Sequence, residues 1–473
     1  MADITVLGAG VCGLGAALLL ARDGHEVTVL ERDPEPPPAD ADAAWSAWAR
    51  RGVVQFRQPH FLQARVRHVL DRELPDVRDA LLRAGAASVD PIDRLPKAIG
   101  DRARRPGDDR FVSVTARRTT TEHVFAAAAD NEPRVRVRRG AEAVGLTIAT
   151  AGEPAHVTGV RLATGDEVRS ELVVDAMGRN SRLPRWLRDA GLPALHEEAE
   201  DSGFLYYTRF FRARDGAQPP VAQTPFLATP VGSFSLLTLP GDRDTWAVTV
   251  YAAAGDRALT ALRHVDCWTA VVAACPLHAH WLDGEPISGV LPMAGVLDRY
   301  RRSVVGGRPV ATGIALLADS WACTNPSLAR GLALGLDHAA RLRDTVRAHV
   351  GDARELAEAW DDVTEREFTP WYRATVATDR TRLAEIDRIR SGADPPELPH
   401  DPSTRARALL PLAAPRDPDL FRAFLEIVGC LTHPQEVFAR SGLAERVLSV
   451  ADDLEPPPPP GPTRAELLDL VSA

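Results

Sequence analysis

Three glycines near the N-terminus have the spacing of a phosphate-binding loop. The sequence reads GxGxxG from position 8, and the apolar stretch 11–21 follows at once. Glycines allow a tight turn and a close approach of the main chain to a pyrophosphate, and the free N–H groups of a helix N-terminus attract negative charge. The residues that we predict to bind the phosphates are Gly8, Gly10, Val11, Cys12 and Gly13.

The flanking segments predict the elements that position this loop. Residues 3–7 (DITVL) predict a short buried parallel strand, and residues 25–32 predict a second strand that ends in Glu31 and Arg32. The dinucleotide-binding fingerprint consists of a strand, a glycine-rich turn, a helix and a second strand that ends in an acidic residue. Glu31 is placed to accept hydrogen bonds from a ribose. NAD, NADP and FAD all use this fingerprint, so the cofactor stays open at this point.

A second motif near residue 319 favours FAD. Residues 310–318 (VATGIALLA) predict a buried strand that ends at Asp319, followed by a loop and a helix. The segment resembles the second FAD motif of flavin-dependent aromatic hydroxylases and epoxidases, in which the aspartate binds a ribityl hydroxyl and the loop lies against the flavin. Ala318 and Ala329 stand where that family has glycine. The residues that the resemblance implies for FAD binding here are Asp319, Pro326, Gly331 and Leu332.

Three other segments resemble motifs of the same family. Asp175 lies in LVVDAMG, Arg51 and Gln55 lie in RGVVQFRQPHFL, and Arg118 opens a predicted helix. The resemblance implies that these four residues contact FAD and Arg32 adjoins it, although Asp175 capping the following turn is the alternative. His60 and Arg57, from the second of these segments, are the weak candidates for a catalytic acid or base.

Residues 195–295 contain no cofactor motif and read instead as aromatic strands at 204–211, 233–239 and 246–251. An aromatic sheet beside an FAD domain suits an apolar substrate pocket, although such residues also pack cores. The predicted pocket residues are Tyr206, Phe210, Phe234 and Trp246.

The positions of the motifs predict an α/β fold (α+β overall). A Rossmann-type FAD-binding domain is expected from the discontinuous segments 1–75, 100–190 and 295–345. An interleaved antiparallel-sheet substrate domain is expected at 76–99 and 191–294. A C-terminal helical region is expected at 346–473, with a proline-rich spacer at 455–462.

Composition narrows the class of protein. The formal charge of −9 argues against nonspecific nucleic-acid binding, which depends on neutralising phosphates. Five cysteines without a CxxC motif indicate neither a disulfide framework nor a metal site, and we expect a cytoplasmic protein. No apolar run reaches the roughly 20 residues of a membrane span, so no stable membrane anchor is expected.

The family resemblance implies a monooxygenase that uses FAD and O₂ to hydroxylate or epoxidise an apolar, aromatic or olefinic small molecule of secondary metabolism or antibiotic biosynthesis, through a flavin C4a-(hydro)peroxide. A single GxGxxG leaves the electron donor as either NAD(P)H docked without its own motif or a separate flavin reductase. The alternatives are a reductase or desaturase of the geranylgeranyl-reductase type, a halogenase whose lysine could only be Lys97, and a non-catalytic FAD-binding protein.

Overall fold

In the computed structural model, helices and strands are interspersed up to residue 189, strands predominate from residue 196 to 323, and helices follow from residue 331. The structure describes residues 1–149, 154–394, 399–452, 454 and 460–472. The strands are β1 (Asp3–Leu7), β2 (Glu26–Glu31), β3 (Ala87–Val89), β4 (Ser113–Thr115), β5 (Val135–Arg139), β6 (Ala143–Ile148), β7 (Val157–Leu162), β8 (Glu167–Arg169), β9 (Leu172–Asp175), β10 (His196–Asp201), β11 (Phe204–Arg212), β12 (Ala228–Val231), β13 (Phe234–Pro240), β14 (Thr245–Ala253), β15 (Glu285–Pro286), β16 (Leu291–Met293), β17 (Leu297–Arg302), β18 (Val304–Val305), β19 (Arg308–Pro309), β20 (Ile314–Leu316) and β21 (Ala322–Cys323).

The α-helices lie mainly in the N-terminal and C-terminal parts of the chain. They are α1 (Val11–Arg22), α2 (Ala41–Ser46), α3 (Ala64–Glu73), α4 (Pro75–Arg83), α5 (Arg118–Asn131), α6 (Leu183–Asp189), α7 (Val265–Ala273), α8 (Gly331–His349), α9 (Ala353–Glu367), α10 (Thr369–Ser391), α11 (Pro402–Ala413), α12 (Pro418–Val428), α13 (Pro434–Phe438), α14 (Leu443–Ala451) and α15 (Arg464–Ser472).

A five-stranded parallel sheet organises the N-terminal half, in the order β20-β9-β1-β2-β5. The strand β1 lies at its centre, and every residue of this strand after Asp3 is therefore buried. Helix α1 is buried along almost its whole length and packs with α5 and α8 against the sheet. This arrangement confirms the predicted Rossmann-type domain and brings the carboxyl ends of β1, β2, β9 and β20 to one edge, where such sheets bind ligands.

The aromatic segments form a six-stranded antiparallel sheet in the order β12-β13-β14-β11-β15, with β16 also paired to β11. Alternate side chains on these strands point to opposite faces. One face packs against α7 and α15 in a core that contains Phe211, Trp246 and Trp268. The other face carries Tyr206, Leu237 and Leu239 and looks toward the FAD-binding domain.

Two segments predicted for the substrate domain lie elsewhere. In residues 76–99, α4 packs into the core of the FAD-binding domain and β3 pairs with β4 rather than with the six-stranded sheet. Strand β10, within 191–294, pairs with β17. The sequence did not reveal these pairings because each partner strand is distant along the chain.

The strand predicted at 310–318 is much shorter in the structure. The paired strand is Ile314–Leu316, and the positive φ angles of Gly313 and Ala318 end the extended backbone on either side. A short 3₁₀ turn, Ala318–Ser320, follows and contains Asp319.

The C-terminal region is helical but divides between different surfaces. Helices α9 and α10 pack beside the FAD-binding domain, and α11, α12 and α14 share a core with residues 92–111. Helix α15 returns to the six-stranded sheet through Leu467 and Val471. Most of the predicted proline-rich spacer, residues 455–459, lies outside the described residues.

Candidate functional site

A central cavity runs from the carboxyl edge of the parallel sheet to the inner face of the six-stranded sheet. This space is the central cavity. It brings together most of the residues predicted from separate motifs. Those that line it are Gly8, Gly10, Val11, Cys12, Gly13, Glu31, Arg32, Gln55, His60, Arg118, Tyr206, Asp319, Pro326, Gly331 and Leu332.

The first loop, residues 8–13, depends on glycine. Gly8 has φ +102°, and a Cβ on it would lie 2.7 Å from the Ala176 carbonyl oxygen. A Cβ on Gly13 would lie 2.2 Å from the carbonyl oxygen of Gly8. A Cβ on Gly10, by contrast, would meet nothing within 4 Å. The main chain at Gly10 is therefore open to the cavity, as close approach of a pyrophosphate requires.

The predicted ribose ligand, Glu31, is fixed in a buried ion network. Its Oε2 accepts hydrogen bonds from the Ala9 N–H and from Arg50 Nη2, both at 2.9 Å. Arg50 also reaches Glu122 Oε2 at 3.0 Å, and Arg118 pairs with the other oxygen of Glu122. Because partnered carboxylates hold a fixed geometry, this network orients Glu31 at the tip of β2.

The second loop, residues 318–330, begins with an alanine in a left-handed conformation. Ala318 has φ +52°, a region that non-glycine residues visit at a cost of about 1–2 kcal/mol. Its N–H donates to His338 Nδ1 at 3.2 Å, and His338 lies 4.3 Å from the Trp360 ring in a stack. Burial lowers the pKa of His338 to about 3. The ring therefore stays neutral and keeps the lone pair that holds Ala318.

The same loop contains a second left-handed alanine. Ala329 has φ +52° and ψ +33°, and its N–H donates to the Pro326 carbonyl at 2.9 Å. Helix α8 then starts at Gly331 without a side-chain cap, as α1 does after Gly10. Both helix N-termini thus border the central cavity with free N–H groups and partial positive charge.

Asp319 lies between these alanines and is the acidic group of the second loop. Burial raises the pKa of its carboxyl above the ordinary range, and Arg118 and Arg179 oppose that rise. A carboxylate lining the cavity can accept hydrogen bonds from polyol hydroxyls. The open main chain at Gly10, two uncapped helix N-termini, Glu31 and Asp319 together fit the pyrophosphate, ribose and ribityl groups of FAD. These residues would hold FAD, which when bound supplies redox chemistry.

Three predicted cofactor or catalytic residues do not line the cavity. Asp175 is fully buried and caps the next turn by accepting from the Met177 N–H at 3.0 Å and from the Ser181 hydroxyl. Arg51 is exposed, and Arg50 beside it points inward instead. Arg57 is exposed and donates to the Trp45 carbonyl. Asp175 therefore fits the turn-capping alternative, and the contacts of Arg51 and Arg57 with FAD or substrate stay predictions.

His60 does line the cavity, with Nδ1 2.9 Å from the Gln58 carbonyl oxygen. Burial and the neighbouring charge of Arg118 lower its pKa to about 3. The imidazole is therefore neutral at physiological pH and a weak base. Its role as a catalytic group stays a prediction.

Of the four predicted pocket aromatics, only Tyr206 lines the cavity. Phe234 and Trp246 belong to the opposite face of the sheet, in the core with α7 and α15. Phe210 shares a face with Tyr206 but is covered by Trp45, at 4.8 Å between ring centroids. The residues that line the sheet side of the cavity instead are Leu237, Leu239, Met293 and Val296.

Several residues that line the cavity belong to none of the predicted motif positions. Arg50 could have been found from its position next to a recognised segment, but His338 and Asn325 reach the cavity only through the packing of α8 and the second loop. Lys97 is exposed and does not line the cavity. All five cysteines are unpaired, and the described residues contain no cluster that could hold a metal ion. Of the described helices, none has the length and apolarity to cross a bilayer.

Comparison with known families agrees with this cofactor assignment. Residues 3–200 match the family model described as FAD dependent oxidoreductase. Residues 3–200 of this chain therefore carry a domain that is similar to FAD-dependent oxidoreductases.

Individual relatives are more distant. Protein Rv3254 of Mycobacterium tuberculosis is 26% identical over 366 residues, which span 72% of each chain. PqsL, a probable FAD-dependent monooxygenase from Pseudomonas aeruginosa, is 18% identical with a TM-score of 0.57, and the match covers 82% of this chain and 99% of PqsL. The flavin-dependent brominase Bmp2 is 13% identical with a TM-score of 0.60, over 95% of this chain and 98% of Bmp2. Both structural matches show a shared fold.

Proposed function

We propose that this protein is an FAD-dependent monooxygenase. It would insert one oxygen atom, by hydroxylation or epoxidation, into an apolar aromatic or olefinic small molecule of secondary metabolism. The observation that carries the proposal is the continuity of the central cavity, which joins both FAD-binding loops to the apolar face of the six-stranded sheet. A mainly apolar pocket with a few polar groups is the usual form of a small-molecule site.

The protein's own contribution is to bind, orient and exclude water. The first loop and Glu31 would hold the adenosine end of FAD, and the second loop would hold the flavin end. The sheet residues Leu237, Leu239 and Met293 would keep an apolar substrate against the second loop and away from solvent. Exclusion of water from the site would limit side reactions at the reacting groups.

The electron donor is part of the proposal. The described residues contain one parallel sheet of the dinucleotide-binding type, which FAD would use. We therefore propose that electrons arrive either from NAD(P)H bound without a second such sheet or from a separate flavin reductase.

The proposal can be tested by measuring oxygen consumption of the FAD-loaded protein with NADH, NADPH or externally reduced FAD in parallel. We expect oxygen uptake with at least one of the three donors. Turnover that continues without oxygen would instead indicate a reductase or desaturase. A protein that binds FAD but accepts none of the three donors would be a non-catalytic flavin-binding protein.

The cavity does not favour halogenation. Flavin halogenases need a lysine to carry the oxidised halogen, and the only lysine of the chain, Lys97, is exposed outside the central cavity. Addition of bromide or chloride to the oxygen assay should leave the product unhalogenated, both in the wild type and after Lys97→Ala.

A further inference from the structure

The apolar sheet side of the central cavity carries a tyrosine with a fixed hydroxyl. Tyr206 projects from β11 and is 3% exposed. Its ring stacks on Tyr251 at 5.4 Å, and its hydroxyl donates to Oδ1 of Asn325. Since the single proton of this hydroxyl is committed to Asn325, the phenol oxygen can still accept a hydrogen bond.

Asn325 is itself held in place within the second loop. Its main-chain N–H donates to Asp298 Oδ1 at 2.7 Å. Its side-chain amide lies beside Asp379 of α10 and lowers the pKa of that carboxyl, while burial raises the same pKa to a net value of about 6. Both Asn325 and Tyr206 line the cavity, and Asp379 lies behind them.

The polar atoms behind the cavity wall are incompletely satisfied. Oδ1 of Asp379 accepts from the Ser327 hydroxyl at 2.7 Å, but Oδ2 has no hydrogen-bond partner among the described residues. Nδ2 of Asn325 is likewise buried and without a partner in that part of the chain. Unpaired buried polar atoms are costly, and they are common where a structure serves binding or catalysis.

The side chains of Asp379, Asn325 and Tyr206 follow one another from the protein interior to the cavity wall. The Asp379 carboxylate lies beside the Asn325 amide without a hydrogen bond between Oδ2 and Nδ2, and Oδ1 of that amide takes the Tyr206 proton. A buried negative charge acts strongly on a nearby hydrogen bond because the interior has a low dielectric constant. The bond to Asn325 therefore fixes the Tyr206 hydroxyl with its acceptor lone pairs free, and the nearby Asp379 carboxylate adds negative charge behind it.

We propose that Tyr206 is a substrate anchor that accepts a hydrogen bond from a hydroxyl group on the substrate, with Asn325 and Asp379 as positioning residues. This inference rests on the proposed function and narrows its substrate class to apolar molecules that carry a hydroxyl, such as fused-ring phenols. The apolar ring system would lie along Leu237 and Met293, and the hydroxyl would point to Tyr206.

The test is equilibrium binding of two probes to the oxidised, FAD-loaded protein by calorimetry. The probes are 1-naphthol, which has a hydroxyl donor, and 1-methoxynaphthalene, which has the same rings without the donor. We expect the wild type to bind 1-naphthol about three- to tenfold more tightly, the range that one hydrogen bond gives. Tyr206→Phe should abolish this preference.

The matched control is Tyr207→Phe. Tyr207 is the next residue of β11 but faces the opposite core, so its variant should keep the wild-type preference. Asp379→Asn should weaken the preference without abolishing binding, because an amide at this position cannot supply the negative charge. The flavin absorbance of each variant shows that it is folded and loaded.

Three results would overturn the proposal: equal binding of the two probes to the wild type, an unchanged preference in Tyr206→Phe, or binding of neither probe. Because the measurement needs no reductant and no oxygen, its outcome is separate from that of the oxygen-consumption assay. A protein that consumes oxygen productively but shows no preference would keep the monooxygenase assignment and lose the hydroxyl anchor.

Discussion

The two loops that enclose the FAD-binding part of the central cavity reach similar geometry by different means. In the first loop, Gly8 takes a left-handed conformation and Gly13 makes a contact that no side chain would permit. In the second loop, Ala318 and Ala329 take left-handed conformations with a Cβ present. Each loop then leads into a helix whose uncapped N-terminus borders the cavity.

The difference shows which interactions determine the backbone conformation of each loop. The first loop depends on residue type, so its shape can be predicted from local sequence. The second depends on tertiary hydrogen bonds, above all the bond from the Ala318 N–H to His338. Strained backbone of this kind persists only where the surrounding structure holds it, and it is common at functional sites.

The largest expected effect is that of Gly13→Ala in the first loop. The new Cβ would lie 2.2 Å from the Gly8 carbonyl oxygen, and main-chain atoms cannot move aside as a side chain can. We expect a loss of about 3 kcal/mol or more in the free energy of unfolding and no retention of FAD. Chemical denaturation and flavin absorbance would measure both.

The control for this variant is Gly351→Ala, where a Cβ meets nothing within 4 Å. It should leave stability and FAD content close to wild type. A Gly13→Ala protein that retained FAD would show that the first loop is as adaptable as the second.

The next largest effect is that of Asp175→Asn. Asp175 lies beside the second loop, and its main-chain carbonyl accepts a hydrogen bond from the Leu317 N–H. Burial raises the pKa of its carboxyl to about 6. A carboxyl with a raised folded-state pKa stabilises the fold most below its unfolded pKa, and this stabilisation falls as pH rises toward 6. Asp175→Asn should therefore gain on the order of 2 kcal/mol relative to wild type between pH 4 and pH 7. Urea unfolding across this range tests it, and a pH-independent difference would contradict it.

Replacing His338 tests the hydrogen bond that holds the second loop. His338→Phe keeps an aromatic ring beside Trp360 but leaves the Ala318 N–H without its acceptor. We expect a loss of about 1–2 kcal/mol in the free energy of unfolding and a several-fold weaker affinity for FAD. Fluorescence titration of the apoprotein with FAD would measure the second effect.

The rescue of this variant is the sharper part of the test. Ala318→Gly removes the cost of the left-handed conformation, so it should recover part of the loss in the His338→Phe background. His338→Asn, which offers an acceptor oxygen near the Nδ1 position, should lose less FAD affinity than His338→Phe. Strictly additive effects of Ala318→Gly and His338→Phe would show that the two residues are independent.

The smallest effect is expected for Ala329→Gly. Glycine relieves a left-handed alanine but increases the entropy of the unfolded chain, so the net stabilisation should stay below about 1 kcal/mol. Ala359→Gly, within the regular helix α9, is the control and should destabilise by about 1 kcal/mol. A destabilised Ala329→Gly protein would mean that the Cβ of Ala329 makes a contact that matters more than the strain.

The parts of the site that the sequence predicted are those encoded by spacing over a few residues. The GxGxxG loop, Glu31 and Asp319 all line the cavity as expected. Phe234 and Trp246 were predicted to line the pocket, but they lie in the core on the opposite face of the sheet. Strand register decides which face a side chain occupies, and aromatic content does not indicate the register. Arg51 is exposed and Arg50 lines the cavity, because the turn of an irregular loop decides which of two neighbouring arginines points inward.

The remaining features depend on distant contacts. His338 is an ordinary helix residue until the packing of α8 places it under Ala318. Asp379 reaches the second loop only because α10 packs beside it. Neither contact leaves a pattern in the local sequence.

The central claim is that the central cavity holds FAD and a substrate together for oxygenation. The most direct measurement is mass spectrometry of the products after the FAD-loaded protein, 1-naphthol and an electron donor are incubated under ¹⁸O₂. We predict a product that contains one ¹⁸O atom. A product without ¹⁸O, or the release of hydrogen peroxide with 1-naphthol unchanged, would contradict the claim.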